Sequence, residues 1–162
     1  MKAIIFCPGY EVKLVNVPSL DHSTVGNATI ELTPLPSIRV SGKVILPKRN
    51  RVAGFMIEAT YQATWAHEFF GIADGLVCAF TVASARVSDE GSFSITVPDF
   101  AHDPSINSFR EKGVIKLTAR EPSTGNMPYI LERPDNSGRD VEIEIDEEYK
   151  NELILYARTR RG

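Results

Sequence analysis

The sequence lacks the features that mark several large classes of protein. It has no run of about 18 apolar residues, the length that a membrane-spanning helix needs, so we expect no membrane insertion. The formal net charge is -3 and the pI about 5.6, which gives no general positive field for phosphate backbones. The dense basic cluster at Arg158, Arg160 and Arg161 is typical of a solvated terminus. We therefore expect no nucleic-acid partner.

Cysteine and histidine are scarce, which limits redox and metal chemistry. The two cysteines, Cys7 and Cys78, stand outside any Cys-x-x-Cys motif, and their spacing leaves open both a pair of buried thiols and a disulfide. No two of the three histidines have the close spacing of a zinc site, so we expect no metal or other cofactor. Motifs for nucleotide binding and for nucleophilic hydrolysis are also absent, and we predict that the chain is not an enzyme.

The sequence contains many strand-like segments. Short runs rich in Val, Ile, Thr, Phe and Tyr are separated by Pro and Gly at intervals of about ten residues, as in β-sandwiches. The stretch 104–110 instead favours a short helical turn, with Ile106 and Phe109 packed inwards. We predict strands over 2–7, 10–17, 26–33, 37–46, 53–63, 76–87, 91–98, 113–121, 127–132, 139–145 and 151–158.

Alternation of apolar and polar residues assigns faces to several of these strands. In the segment 92–97 every second residue is apolar, which predicts that Phe93, Ile95 and Val97 share one buried face. The segment 141–145 has the same period and places its acidic residues towards solvent. The fold class predicted from these patterns is all-β, an antiparallel β-sandwich.

Three of these segments together resemble the carboxypeptidase regulatory-like family. They are Ser41-Gly42-Lys43-Val44-Ile45, Val52-Ala53-Gly54-Phe55-Met56-Ile57-Glu58-Ala59, and a strand running into Ser88-Asp89-Glu90-Gly91-Ser92-Phe93 and ending near Pro98. The resemblance covers roughly 40–121 and implies a prealbumin-like, transthyretin-like Greek-key sandwich, with additional N-terminal and C-terminal strands. It also implies a bacterial protein in which the sandwich is an appended structural or recognition module.

The resemblance divides the chain near residue 36. Residues 37–162 form the predicted sandwich, and residues 1–36 contribute strands either to the same domain or to the tail of a preceding one. The motifs Cys7-Pro8-Gly9-Tyr10 and Pro34-Leu35-Pro36 are similar to the segment that leads into such domains in bacterial proteins. Because strand-like sequence begins at Lys2, we expect a longer precursor and favour an extracellular or periplasmic location.

The segment 65–70 concentrates aromatic residues on both sides of a predicted strand. It contains the one tryptophan, a histidine and two phenylalanines, at Trp65, His67, Phe69 and Phe70. A two-layer sandwich buries one face of each strand, so aromatic residues on both faces indicate either core packing in a bent segment or an exposed binding surface. We take these four residues as the candidate binding surface.

Three functions follow from these observations. The first is a non-catalytic module for structural spacing or protein–protein interaction in a larger bacterial protein, with other protein domains as partners. The second is a carbohydrate- or peptide-binding module that uses the segment 65–70. The third is a hydrolase or metal enzyme on a transthyretin-like scaffold.

Overall fold

Ten β-strands make up nearly all the regular structure in the computed structural model of the chain, which describes residues 2–16, 29–46, 54–65, 76–103, 109–121, 128–133, 141–144 and 153–158. A single turn of 3-10 helix spans Phe100–His102, and no α-helix occurs within these ranges. The all-β class predicted from the sequence is confirmed. The strands are β1 Lys2–Ile5, β2 Lys13–Asn16, β3 Ser37–Ile45, β4 Met56–Trp65, β5 Leu76–Arg86, β6 Ser92–Pro98, β7 Phe109–Arg120, β8 Pro128–Glu132, β9 Val141–Glu144 and β10 Leu153–Arg158.

The strands β3 to β10 form two layers. The first sheet has the order β6-β3-β10-β8, and the second has β5-β4-β7 with β9 beside β7. Strand β8 belongs to both, because Tyr129 pairs with Ala119 of β7 and Leu131 pairs with Ala157 of β10. This shared strand joins the two layers of the sandwich along one side.

The connections between strands fit a Greek key. Strands β4 and β5 form a hairpin in the second sheet, and β6 returns to the first sheet to lie antiparallel beside β3. One pair departs from the antiparallel rule: β10 runs parallel to β3, with Leu153 opposite Gly42 and Tyr156 opposite Ile45. In the sequence β10 follows β9, which belongs to the second sheet, so consecutive described strands lie in different layers.

Alternating side chains from both sheets fill the space between them. In β6 the predicted inward residues Phe93, Ile95 and Val97 are buried, while Ser92 and Ser94 are exposed. Burying an aliphatic side chain of this kind contributes roughly 1.5–3 kcal/mol, so this face accounts for much of the stability of the fold. The largest side chains that are almost wholly buried are Tyr61, Phe100, Ile57, Leu117, Leu131, Leu155, Val12, Val40, Val44 and Val97.

The turn before β6 forms as the sequence predicts. Gly91 has a φ of 89°, in the left-handed region that glycine adopts without strain, and its backbone N–H donates to the Ser88 carbonyl at 3.0 Å. The Ser88 hydroxyl accepts from the Ser92 N–H at 3.0 Å. These bonds fix the start of β6 and therefore the inward position of Phe93.

The N-terminal segment packs against the sandwich. Strands β1 and β2 form a hairpin, Phe6 stacks on Phe80 of β5 with ring centroids 4.4 Å apart, and Val12 is buried with the main core. Cys7 is a half-buried free thiol, so the disulfide alternative is not formed. The domain division at residue 36 stays a prediction.

Two predicted elements differ from the structure. Residues 29–33, the described part of the predicted strand 26–33, form no strand and are followed by an isolated bridge between Tyr10 and Pro34. Proline supplies no N–H for a ladder, which limits pairing there. The helical turn predicted over 104–110 is also wrong where the structure describes it, because Phe109 begins β7 and pairs with Trp65. The helical turn lies earlier, at Phe100–His102.

Candidate functional site

Two carboxylic side chains are buried in the described part of the chain, and both belong to the contact between the N-terminal segment and the sandwich. Asp103, directly after the 3-10 turn, is 2% exposed, and Glu11 is 8% exposed. A buried carboxylate costs several kcal/mol unless hydrogen bonds compensate it. Residues of this kind serve either catalysis or internal attachment, and their partners distinguish the two.

Asp103 attaches the N-terminal segment to the loop that follows β6. Its Oδ2 accepts a hydrogen bond from the backbone N–H of Val12 at 3.0 Å, across 91 positions of sequence. Its own backbone N–H donates to the Phe100 carbonyl at 3.1 Å and closes the 3-10 turn. The carboxylate therefore satisfies a buried backbone donor that would otherwise be costly.

Glu11 attaches the same segment to the stretch before β3. Its Oε1 accepts from both the backbone N–H and the hydroxyl of Thr33, each at 3.1 Å. The Lys13 ammonium lies 3.8 Å from that oxygen and donates to the Glu31 carbonyl at 2.7 Å. Backbone bonds from Glu11 N–H to Thr33 and from Leu35 N–H to Gly9, both 2.9 Å, run on either side.

Tyr61 is the buried phenol nearest to this contact. It points from β4 into the core and stacks on Phe100, with ring centroids 4.0 Å apart. Removal from water raises the pKa of the Tyr61 phenol well above its ordinary value, and the negative charge of Asp103 raises it further. The phenol therefore stays protonated at neutral pH and cannot act there as a base or an anionic nucleophile.

His102 is the one histidine within the described ranges, and it faces solvent. Its Nδ1 lies 2.7 Å from Oδ2 of Asp99, whose other oxygen accepts from the Ala101 N–H at 3.1 Å. The pair caps the 3-10 turn. The described residues contain no group of three or more His, Cys, Asp or Glu that could hold a metal ion.

The candidate binding surface lies almost wholly outside the described residues. The backbone of Trp65 ends β4, between Leu76 of β5 and Phe109 of β7. The Trp65 side chain is not described, nor are residues His67, Phe69 and Phe70. This surface stays a prediction.

The outward face of the first sheet is exposed and carries positive charge. Arg39, Ser41 and Lys43 alternate along β3, which is a central strand, and all three are exposed. The Arg39 Nε donates to the Ser94 hydroxyl on β6 at 2.8 Å. On β10, Ile154 lies opposite Lys43 and is 49% exposed, an unusual position for a large apolar side chain on an open sheet face.

The outward face of the second sheet is more enclosed, and a carboxylate neutralises one of its arginines. Outward residues of the central strand β4, such as Glu58, Thr60 and Gln62, are half-buried. The Arg120 Nε donates to Glu58 Oε2 at 2.6 Å, which is a close ion pair across β7 and β4. The charge of Arg120 is therefore compensated within this face.

The sequence interpretation did not single out Glu11, Arg39, Lys43 or Ile154. The alternation that exposes Arg39 and Lys43 is visible in the sequence, and five apolar residues in a row, 153–157, indicate that β10 is apolar on its outward face at Ile154. No local signal marks Asp103 or Glu11, because their partners are 91 and 22 positions away.

No helix in the described part of the chain is long and apolar enough to cross a membrane. Comparisons of the sequence and fold with models of known families, with curated proteins and with solved structures found no match.

Proposed function

We propose that the chain is a non-catalytic β-sandwich module that mediates contact with another protein, or spaces neighbouring domains, within a larger exported bacterial protein. The observation that carries this proposal is the use of the buried carboxylates. Asp103 and Glu11 accept hydrogen bonds from Val12 and Thr33, and so they hold the N-terminal segment on the sandwich. These hydrogen bonds give both buried carboxylates a role within the fold, which supports a non-catalytic module.

Two alternatives remain as predictions of the sequence. A carbohydrate- or peptide-binding module would use Trp65, His67, Phe69 and Phe70. The other alternative is a hydrolase or metal enzyme on a transthyretin-like scaffold, and the described residues contain no group of three or more His, Cys, Asp or Glu that could hold its metal ion.

Replacement of Asp103 tests the proposal, because structural and catalytic carboxylates affect stability in opposite directions. Asp103→Asn leaves an amide that accepts less strongly and brings a buried donor. We expect it to lower the free energy of unfolding by about 2 kcal/mol. Catalytic carboxylates are usually held at a cost to the fold, so their removal tends to stabilise it. Urea unfolding of the full chain followed by circular dichroism measures the difference.

The matched control is Asp89→Asn, which removes the same charge from an exposed turn and should change stability by less than about 0.5 kcal/mol. A gain in stability, or no change, in Asp103→Asn would contradict the structural role. Stoichiometric metal in the purified chain would contradict the non-catalytic assignment directly.

A further inference from the structure

We propose that the outward face of the first sheet, centred on Arg39, Lys43 and Ile154, docks an acidic, extended segment of a partner protein. This inference rests on the proposed function as a contact module and names the surface and the chemistry of its partner.

The outward face of the first sheet is open to solvent. Strand β3 has neighbours on both sides, yet its outward residues Arg39 and Lys43 are exposed, whereas the outward residues of the equally central β4 are half-buried. Ile154 is the most exposed of the large hydrophobic residues described. A large apolar side chain beside a cation offers both contact area and charge to a partner.

A hydrogen bond to the neighbouring strand β6 orients Arg39. The bond from Nε to the Ser94 hydroxyl uses one donor of the guanidinium and restrains the side chain across two strands. Among the described residues, no further hydrogen bond or ion pair of Arg39 occurs. Its two terminal nitrogens can therefore receive a carboxylate in the bidentate geometry that arginine favours, with part of the ordering cost already met.

The outward face of the first sheet carries positive charge on β3. At the outward positions of β3 the charges are two exposed cations, Arg39 and Lys43, while Glu132 of β8 occupies the register position opposite Tyr156. This local positive excess occurs on a chain with a net charge of -3, and it complements an acidic partner. Two cations beside an apolar residue suit a polypeptide better than a nucleic acid, whose binding depends on many phosphate contacts.

The spacing of Arg39 and Lys43 matches the rise of an extended peptide. Arg39 and Lys43 lie four residues apart on one strand, which corresponds to about 13 Å at the rise of a β-strand. An extended peptide has nearly the same rise, so carboxylates at positions i and i+4 meet both cations. An apolar residue near the second carboxylate then covers Ile154, which is opposite Lys43.

Fluorescence anisotropy with a short labelled peptide tests this arrangement. The probe carries glutamates four residues apart, with valines between and after them, and the full chain is titrated at low and at physiological salt. We expect Arg39→Gln to weaken binding about tenfold, since one charge-assisted hydrogen-bonding group is lost. Arg39→Lys should recover part of the loss, because the charge returns without the fork. Ser94→Ala should weaken binding about twofold by releasing Arg39.

The matched control is Arg120→Gln, which removes an arginine from the other sheet face and should leave peptide affinity within about twofold of the wild type. Absence of peptide binding by the wild type, or equal losses in the Arg39 and Arg120 variants, would overturn the proposal. Tighter binding of a single-stranded oligonucleotide than of the peptide would also overturn it. Each of these results leaves the proposed function standing if Asp103→Asn still destabilises the chain.

Discussion

The two sheets of the sandwich are alike towards the core and different towards solvent. Each sheet places an aromatic ring over a strand glycine: Phe93 over Gly42 in the first sheet, and Tyr61 over Gly113 in the second. On their outer faces, one arginine of the first sheet bonds a neutral hydroxyl, whereas one arginine of the second pairs with a carboxylate. The two sheets therefore pack a ring over a glycine in the same way on their core faces. They differ in how the charges on their solvent-facing sides are paired.

We expect the largest loss of stability when a side chain is added at Gly42, the strand glycine under Phe93 in the first sheet. A Cβ at Gly42 would lie 2.5 Å from the Leu153 carbonyl oxygen and 2.7 Å from the Phe93 ring. Backbone cannot move aside without separating β3 from β10. We expect Gly42→Ala to lower the free energy of unfolding by about 3 kcal/mol, measured by denaturant unfolding of the full chain.

Gly113→Ala is the matched variant in the second sheet. Its Cβ would overlap the Tyr61 ring and not backbone, so we expect a smaller loss of about 2 kcal/mol. The double variant Gly113→Ala with Tyr61→Leu should lose less stability than the sum of the two single variants, because Tyr61→Leu removes the obstructing ring. A Gly42→Ala variant as stable as the wild type would show that close packing does not require glycine at this position.

Tyr61 has a hydroxyl that Phe93 lacks. Alkaline pH should therefore change the stability that Tyr61 contributes and leave the contribution of Phe93 unchanged. The pKa of Tyr61 is raised in the folded chain above its ordinary value of 10.0, so above pH 10 the unfolded chain loses this proton first. The stability contributed by the protonated phenol is therefore fully present below pH 10 and declines as pH rises towards the folded pKa. The decline approaches about 1.4 kcal/mol per pH unit.

Tyr61→Phe isolates this effect, because phenylalanine has no proton to lose. The free energy of unfolding of the wild type relative to that of Tyr61→Phe, measured in urea from pH 8 to 11, should be constant up to about pH 10 and then fall as pH rises. Parallel curves over the whole range would mean that Tyr61 ionises as readily in the folded chain as in the unfolded one.

Much of the fold was predictable because it depends on local periodicity. The alternation in 92–97 and the turn closed by Gly91 identified β6 and its buried face, and nine further predicted strands coincide in place with the described ones. The failures have local causes too. Proline and polar residues in 104–110 favour a turn, but at the end of this stretch the pairing of Phe109 with Trp65 starts β7 four residues before the predicted strand 113–121.

The contacts of the candidate site were not predictable, because they join distant parts of the chain. The parallel pairing of β10 with β3 puts Ile154 beside Lys43, and no periodicity in either segment specifies that neighbour. The bond from Val12 to Asp103 likewise depends on how the N-terminal segment closes over the sandwich. Sequence patterns assigned faces to strands, and tertiary pairing decided which faces meet.

The smallest expected effect concerns the outer faces themselves. A double-mutant cycle on Glu58→Gln and Arg120→Gln should give a coupling energy of about 0.5 kcal/mol, since both side chains are partly exposed. Added salt should reduce it by screening. The cycle on Arg39→Gln and Ser94→Ala should give a smaller coupling that salt leaves unchanged, because the hydroxyl is neutral. A larger and salt-sensitive coupling for Arg39 would mean that its charge is already compensated within the chain, and the difference between the two outer faces would then disappear.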